Sequence, residues 1–566
     1  MEYLVFAAAL VFILALLMLK GYADHKRDEK HFIQRLYEEY GTLPEKEYKA
    51  GQFENISHYF EKHSDGFCVD DITWNDLNMD ELFKNMNYTW SAAGEEYLYY
   101  LLRKPSMDLE ELEERERIIE YFRTNADQRV CFQFAFSKLG RCGKFSIYDY
   151  LDYLDNLGNR SNIPHYLSLA LFLLSIGVLL VNVPIGLVVM VCILIYNNVT
   201  YFKTQKEIDP YITSFAYVFR LLDAVDELKN QPVPVISEEL SRLRAYRNAM
   251  RLFKSGSYIV MSGARMTGTG GNPLDMLMDF LRMGFHLDLI KFNQMLSEVR
   301  KHIAEIDGML TILGKIEAMI AIGEYREAHP YCVPEFTDKR EIEVQDMYHP
   351  LLRDPVANSV AAAGSVLITG SNASGKSTFL KTMAISAILA QTIHTCPAKS
   401  CKTGMFRVCS SMTLRDDVQG GSSYYMVEIK ALKRILDLLN DGNEVPVLCF
   451  VDEVLRGTNT VERIAASTEI LRSMAGQNCI CFAATHDIEL THLLEGTYQN
   501  YHFAEQIEDN DIFFSYKLLD GRASTRNAIK LLGIMGYDGK IIREAEEMAQ
   551  VFLQTGHWHG IDLQKV

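Results

Sequence analysis

One stretch of the chain combines glycine, lysine and serine at a spacing suited to phosphate. Residues 370–377 read Gly-Ser-Asn-Ala-Ser-Gly-Lys-Ser and match G-x-x-x-x-G-K-[ST] at every fixed position. Glycines at both ends let backbone N–H groups converge on phosphate oxygens, Lys376 can reach the β- and γ-phosphates, and the Ser377 hydroxyl can ligate Mg²⁺. The predicted nucleotide-binding residues are Gly370, Ser371, Asn372, Ala373, Ser374, Gly375, Lys376, Ser377 and Thr378.

Acidic side chains and a histidine follow two apolar runs further along the chain. Val447–Val451 is predicted to be a buried strand and ends in Asp452 and Glu453. Ile480–Ala484, predicted to be a neighbouring strand, is followed after one residue by His486. Ligands of open α/β sheets bind at the carboxyl edge of the strands, where these residues would lie. We expect Asp452 to hold Mg²⁺ together with the loop serine, and Glu453 to activate the attacking water. An isolated histidine is structural by default, but this placement favours His486 as a sensor of the γ-phosphate.

A second anion site is predicted at a glycine- and serine-rich turn. The segment Gln419–Glu428 reads Gln-Gly-Gly-Ser-Ser-Tyr-Tyr-Met-Val-Glu and opens a helix, whose N-terminus attracts anions. Because the first loop already occupies the phosphates of its own subunit, this turn is expected to serve the nucleotide of a partner subunit.

The elements that must position these residues change in character along the chain. From about Glu341, strands alternate with helices, which is typical of a parallel α/β sheet. Ile342–Val344 and Val366–Thr369 are expected to be early strands, and an apolar segment with helical spacing begins at Phe379. The residues upstream have the spacing of long amphipathic helices. The predicted divisions are an N-terminal anchor (1–20), a helical region (21–160), a membrane hairpin (161–202), a helical core (203–340) and an α/β domain (341–566).

Two apolar stretches predict membrane spans. Tyr3–Leu19 is uncharged and just long enough to cross a bilayer, although a cleaved signal peptide is an alternative. Ser161–Phe202 contains no Asp, Glu, Lys or Arg, and Asn182 and Pro184 at its centre predict a turn between two spans. A buried hairpin in a soluble core is the alternative for this block.

Basic residues beside these stretches predict their orientation. They follow the first stretch and lie on both sides of the second, at Lys20, Lys26, Arg27, Lys30, Arg160, Lys203 and Lys206. Cytoplasmic flanks carry an excess of Lys and Arg. The sequence therefore predicts a multi-pass protein of the inner or plasma membrane, with three spans and its α/β domain in the cytoplasm.

Composition narrows the classes of partner. The formal net charge of −17 argues against a protein that coats nucleic acid, although a local basic groove is compatible with it. The eleven cysteines include no CxxC pair. Buried free thiols in a reducing compartment are expected, with Cys192, Cys449 and Cys481 in apolar runs.

Taken in order, these motifs resemble the ATPase domain of the MutS family, a branch of the ABC-type ATPases. They are Tyr348-His-Pro350, the glycine-rich loop, Ser423–Glu428, Asp452-Glu453 with Arg456-Gly-Thr458, and Ala484-Thr-His486. The resemblance implies a P-loop fold that binds ATP and Mg²⁺ and hydrolyses ATP. It also implies a homodimer in which Ser423 of one subunit caps the γ-phosphate held by the other. Helices over Ala528–Phe552 would then clasp the dimer.

Departures from the family leave the biological role open. The region ahead of the helical core holds no Phe-x-Glu motif of the kind that reads mismatches, and Phe503-Ala-Glu505 falls inside the ATPase region. The expected protein is thus a membrane-anchored variant without the mismatch-recognition domain. Family descent favours DNA binding and mismatch repair. The acidic charge and the missing Phe-x-Glu motif favour a membrane-bound mechanochemical ATPase that acts on a protein or lipid partner, whereas three spans make a poor transporter pore.

Overall fold

The structure, a computed structural model, describes residues 2–44, 46–48, 52–141, 146–149, 152, 160–251, 253–254, 285–371, 374–412, 424–456, 458–508, 511–523 and 528–558. Contacts divide the chain into two compact units. The helical unit comprises Met1–Asp65, Phe83–Leu101 and Glu114–Ala328. The α/β unit comprises Gly66–Leu82, Leu102–Glu113 and His329–Val566.

The described chain ahead of the sheets is built from helices and turns. In chain order the helices are α1 (Glu2–Glu38), α2 (Gln52–Ile56), α3 (His58–His63), α4 (Asp71–Asp76), α5 (Met79–Met86), α6 (Ala92–Arg103), α7 (Leu109–Thr124), α8 (Ala126–Leu139), α9 (Ile163–Val181), α10 (Val183–Leu228), α11 (Ser237–Ala249), α12 (Leu287–Lys301) and α13 (Ile303–Ala328). A short 3₁₀ turn, Pro234–Ile236, precedes α11.

A buried ion pair joins α7 to α13 within the helical unit. The Arg326 side chain is fully buried and donates to both carboxylate oxygens of Glu116, at 2.8 and 2.7 Å. It also contacts Glu120 at 3.4 Å. A guanidinium can be buried in this way because two parallel bonds to one carboxylate replace its hydration.

The predicted hairpin is present as α9 and α10. Asn182 ends α9, and its side chain accepts a hydrogen bond from the Ile185 amide at 3.3 Å, which caps the start of α10. Beyond residue 202, where the hairpin was predicted to end, α10 continues without interruption to Leu228, because charged residues end an apolar surface but not a helix. Cys192, expected to be buried, is exposed on α10, whereas Cys449 and Cys481 are buried free thiols as expected.

Two helical segments of the described chain, rather than the predicted three, are long and apolar enough to cross a membrane. They are Ile163–Val181 and Val183–Ile208, and each has a mean hydropathy of 2.0. In each, only 11% of the 18-residue stretch that could span the membrane is buried within the protein. The first apolar run, Tyr3–Leu19, lies on α1 and is not one of the two. Since so little of the hairpin is buried, it does not form the core of a soluble domain.

A six-stranded sheet forms the centre of the α/β unit. Its order is β10-β9-β4-β8-β7-β6, with parallel pairing throughout except between β9 and β10. Its strands are β4 (Val366–Thr369), β6 (Arg407–Ser411), β7 (Val447–Asp452), β8 (Cys479–Thr485), β9 (Gln499–Glu508) and β10 (Asp511–Asp520). The central strands β4, β7 and β8 are buried along their whole length, as their continuous apolar sequences predict.

A smaller sheet and a set of helices complete the α/β unit. The sheet has the order β1-β5-β2-β3 and consists of β1 (Glu335–Phe336), β2 (Ile342–Met347), β3 (Asn358–Ala362) and β5 (Ser400–Thr403). The helices are α14 (Lys376–Ile393), α15 (Tyr424–Leu439), α16 (Thr460–Ala475), α17 (Ile488–Leu493), α18 (Ala528–Ile534) and α19 (Gly539–Thr555). All four predicted strands are thus present, and β7 and β8 are neighbours as predicted.

The short helix α4 covers the edge strand β6. The Asp76 carboxylate accepts hydrogen bonds from the Ser410 hydroxyl at 2.7 Å and from the Met412 amide at 2.9 Å. The Thr73 hydroxyl accepts from the Ser410 amide at 3.0 Å. These bonds satisfy edge groups that a further strand would otherwise pair. They explain why residues 66–82, within the predicted helical region 21–160, belong to the α/β unit.

Candidate functional site

The glycine-rich loop connects the central strand β4 to the N-terminus of α14. Gly370 has φ +150° and Gly375 has φ +105°, both in the region that favours glycine. A Cβ at Gly370 would lie 2.9 Å from the Phe503 carbonyl oxygen, and one at Gly375 would lie 3.1 Å from the Tyr516 ring. Both positions therefore favour glycine for conformation, and Gly370 also has no room for a side chain. Asn372 and Ala373, predicted to bind nucleotide, lie outside the described residues.

Lys376 is largely buried at the start of α14. Its Nζ donates to the carbonyl oxygens of Gly370 at 2.7 Å and of Ser371 at 2.8 Å. Burial lowers the pKa of Lys376, and the nearby Glu453 and Asp452 carboxylates partly offset this. The ammonium is thus held against the loop by bonds that a phosphate group could replace.

Asp452, at the end of β7, faces the loop. The Ser377 hydroxyl donates a hydrogen bond to its Oδ2. Its Oδ1 is buried and has no hydrogen-bond partner among the described residues. Burial raises the pKa of Asp452 above its ordinary value, although the Ser377 bond and the Arg456 charge act in the opposite direction. An unsatisfied buried carboxylate oxygen beside a hydroxyl is the donor set that Mg²⁺ uses when phosphates and water supply its other ligands.

Glu453 is held in a left-handed conformation, with φ +54°. Its Oε2 lies 2.6 Å from Arg456 Nε and 3.3 Å from His486 Nδ1. Burial pushes the pKa of Glu453 upward, but the His486 bond and the Arg456 charge outweigh it and leave the pKa below its ordinary value. The same hydrogen bond raises the pKa of His486. The strands β7 and β8 therefore bring the predicted base and the predicted sensor into contact.

A cavity of about 510 Å³ is lined by the loop and the acidic strand end together. The loop contributes Ser371 and residues 375–378, and the strand end contributes Glu453 and Arg456. A charge-lined cavity with fixed N–H donors at a helix start suits a polyphosphate. Ser423, predicted to act on a partner's nucleotide, lies outside the described residues.

A second cavity, of about 280 Å³, adjoins the other side of the loop. Its wall includes His349, Thr378, Phe379, Phe503 and Tyr516. Burial lowers the pKa of His349 to about 4, so the imidazole is neutral at physiological pH. These aromatic residues were not predicted as site residues. The motif Tyr348-His-Pro350 was a signal for His349, but Tyr516 and Phe503 lie far along the sequence and carried none.

Comparison with known proteins agrees with these motifs. Residues 366–553 match the family model for MutS domain V. The DNA mismatch repair protein MutS of Lactobacillus delbrueckii subsp. bulgaricus is 30% identical over 275 residues, which cover 45% of this chain and 31% of that protein.

Two further relatives show the same pattern. The DNA mismatch repair protein MutS of Thermus thermophilus is 28% identical over 254 residues, covering 44% of this chain and 31% of the relative. The human MutS protein homolog 4 is 29% identical over 289 residues, which cover 47% of this chain and 30% of that protein. The chain thus spans less than a third of the length of these relatives. The matched segment contains the glycine-rich loop, Asp452, Glu453 and His486, so residues 366–553 are similar to MutS domain V.

Proposed function

We propose that the α/β unit is an ATPase of the P-loop, ABC-related type and that it converts ATP and water to ADP and phosphate. The observation that carries this proposal is the meeting of two groups of residues at one cavity. The glycine-rich loop with Lys376 lies on one side, and Glu453, in contact with His486, lies on the other. Positioning and charge stabilisation are the main demands of phosphoryl transfer, and this arrangement supplies both.

Each residue has a defined task in this proposal. Backbone N–H groups of the loop bind the phosphate oxygens, and Lys376 neutralises their charge. Ser377 and Asp452 are the residues that would hold Mg²⁺, which would neutralise charge on the phosphates. The ionised Glu453 accepts a proton from the attacking water, and His486 senses the γ-phosphate. The apolar cavity beside the loop, with its neutral His349, is suited to the base of the nucleotide.

The proposed active form is a homodimer with two composite sites. Ser423 would cap the γ-phosphate in the partner's site, as the family resemblance implies. The C-terminal helices α18 and α19 support this proposal. Helix α19 has an apolar face but no buried residue, and its exposed Ile541 and Leu553 are available to a second copy.

We also propose that the protein is held in a membrane with its ATPase unit in the cytoplasm. The support is the hairpin, whose large apolar side chains are exposed over both helices; Leu180 and Val181 at its tip are 84% and 89% exposed. Exposing such a large apolar surface to water is unfavourable, whereas the hydrocarbon core of a bilayer accommodates it. The basic residues on both sides of the hairpin favour this orientation.

ATP hydrolysis could drive one of two processes, one acting on DNA and the other acting on a protein or lipid partner at the membrane. The relatives named DNA mismatch repair proteins favour DNA as a partner. The exposed apolar hairpin and the net charge of −17 favour a mechanochemical role on a protein or lipid partner at the membrane. We favour the second, because both of its observations belong to this chain itself.

The ATPase proposal is tested by Lys376→Ala in the purified full-length chain. We expect the rate of ATP hydrolysis to fall by about 10²–10³-fold, because the main positive charge at the phosphates is lost. Lys339→Ala, which removes an exposed lysine from the same unit, is the control and should hydrolyse ATP normally. Equal rates for Lys376→Ala and the wild type would refute the assignment.

Binding to DNA separates the two processes. Homoduplex and mismatched DNA are titrated with the detergent-solubilised protein over a series of salt concentrations. The membrane role predicts no binding even at low salt. Nanomolar binding whose affinity falls steeply with salt would instead support a DNA partner.

A further inference from the structure

The turn that carries Glu453 has an unfavourable backbone. Glu453 has φ +54° and Leu455 has φ +59°, so two non-glycine residues within three positions are left-handed. Such conformations persist only where the surroundings hold them in place. The contacts that hold this turn therefore determine where the Glu453 carboxylate lies.

One of these contacts comes from α15. The Glu428 carboxylate is buried, 3% exposed, and its Oε1 accepts a hydrogen bond from the Leu455 amide. From the other side, the Ser467 hydroxyl of α16 donates to the Val454 carbonyl at 3.1 Å. The peptide group between Val454 and Leu455 is thus held at both its nitrogen and its oxygen.

The position of Arg456 in the same turn extends the influence of Glu428 to the reacting carboxylate. Arg456 directly follows Leu455, so the bond to the Leu455 amide constrains where the Arg456 side chain begins, and its Nε lies 2.6 Å from Glu453 Oε2. Glu428 therefore acts on Glu453 by two routes: through the left-handed turn and through the guanidinium that pairs with the catalytic group.

We propose that Glu428 is a positioning residue for ATP hydrolysis, one that sets the placement of Glu453 without touching the nucleotide. This proposal rests on the ATPase function proposed above. It gives α15 a second task in the composite dimer. The helix begins at Tyr424, immediately after Ser423 in the sequence, and Glu428 lies within its second turn. A single helix then links the residue that meets the partner's nucleotide to the base that acts on its own.

Glu428→Ala and Glu428→Gln in the full-length protein test this role. Alanine removes the acceptor, so kcat should fall by about 10- to 100-fold, the range that a small misplacement of a reacting group produces. The Kd for a non-hydrolysable ATP analogue should change by less than about threefold, since the loop is untouched. Glutamine keeps an oxygen at the position of Oε1 and should restore most of kcat. Asp437→Ala, at an exposed position of the same helix, is the matched control.

The outcomes separate this proposal from the ATPase assignment. If Lys376→Ala abolishes hydrolysis but Glu428→Ala retains normal kcat, Glu428 has no positioning role and the ATPase function stands. If glutamine is as defective as alanine, and both lose analogue binding together with kcat, the role of Glu428 is structural and the proposal is overturned. A chain that hydrolyses no ATP in its wild-type form would remove both proposals at once.

Discussion

Glu453→Gln is expected to bind ATP with wild-type affinity and to hydrolyse it about 10²–10⁴-fold more slowly. The amide has nearly the same shape as the carboxylate but cannot accept the proton of the attacking water. Its neighbours Arg456 and His486 lower the pKa of Glu453, so the wild-type residue is ionised throughout the neutral range. Single-turnover hydrolysis and equilibrium binding of labelled ATP measure the two quantities separately.

The pH dependence provides a second check on the same residue. A carboxyl whose pKa lies below its ordinary value stays ionised as the pH falls from 8 to 6, so Glu453 should cause no loss of rate in that interval. Glu469→Gln, which neutralises an exposed acid on α16, is the control and should leave both binding and hydrolysis unchanged. Wild-type turnover by Glu453→Gln would show that another group is the base.

The largest effect on stability is expected for Arg326→Ala in the helical unit. This substitution leaves Glu116, which is 19% exposed, without its bidentate partner in a buried environment. Breaking a buried ion pair from one side costs about 3–5 kcal/mol, because the remaining charge loses its compensation. Hydrogen exchange of the α7 and α13 amides measures the local free energy of opening, which avoids treating a chain of two units as one transition.

Arg123→Ala provides the matched control for this prediction. Arg123 also pairs with Glu120, at 3.0 Å, but both side chains are 34% exposed. Exposed pairs contribute about 0–1 kcal/mol, so protection in α7 should scarcely change. Equal losses for the two variants would mean that burial does not govern the strength of the Arg326 pair.

The sequence was most informative where function depends on neighbouring residues. The glycine-rich loop, the four strands and the acids at the end of β7 are local patterns, and each forms the predicted element. Pairing of β7 with β8 could be predicted because both are apolar and end in polar groups. The contact between Glu453 and His486 then follows from parallel strands ending at one edge.

Contacts between residues far apart in the sequence could not be predicted from local patterns. The bond between Glu428 and the Leu455 amide joins positions 27 apart, and nothing in either segment indicates the other. Tyr516 approaches Gly375 only because β10 pairs with β9, and a bulge in that ladder interrupts any simple register. The docking of α4 on β6 depends on Asp76, which resembles any solvated acid in the sequence.

The continuity of α10 has a mechanical consequence. At about 1.5 Å per residue, the 46 residues of this helix extend for roughly 70 Å, more than twice the roughly 30 Å hydrocarbon thickness of a bilayer. With Val183–Ile208 in the membrane as proposed, the rest of α10 is a stiff rod that runs from the lipid into the helical unit. If the membrane-spanning part of α10 changes its tilt, the far end of the helix moves sideways within the helical unit. The displacement grows with the length of helix outside the bilayer.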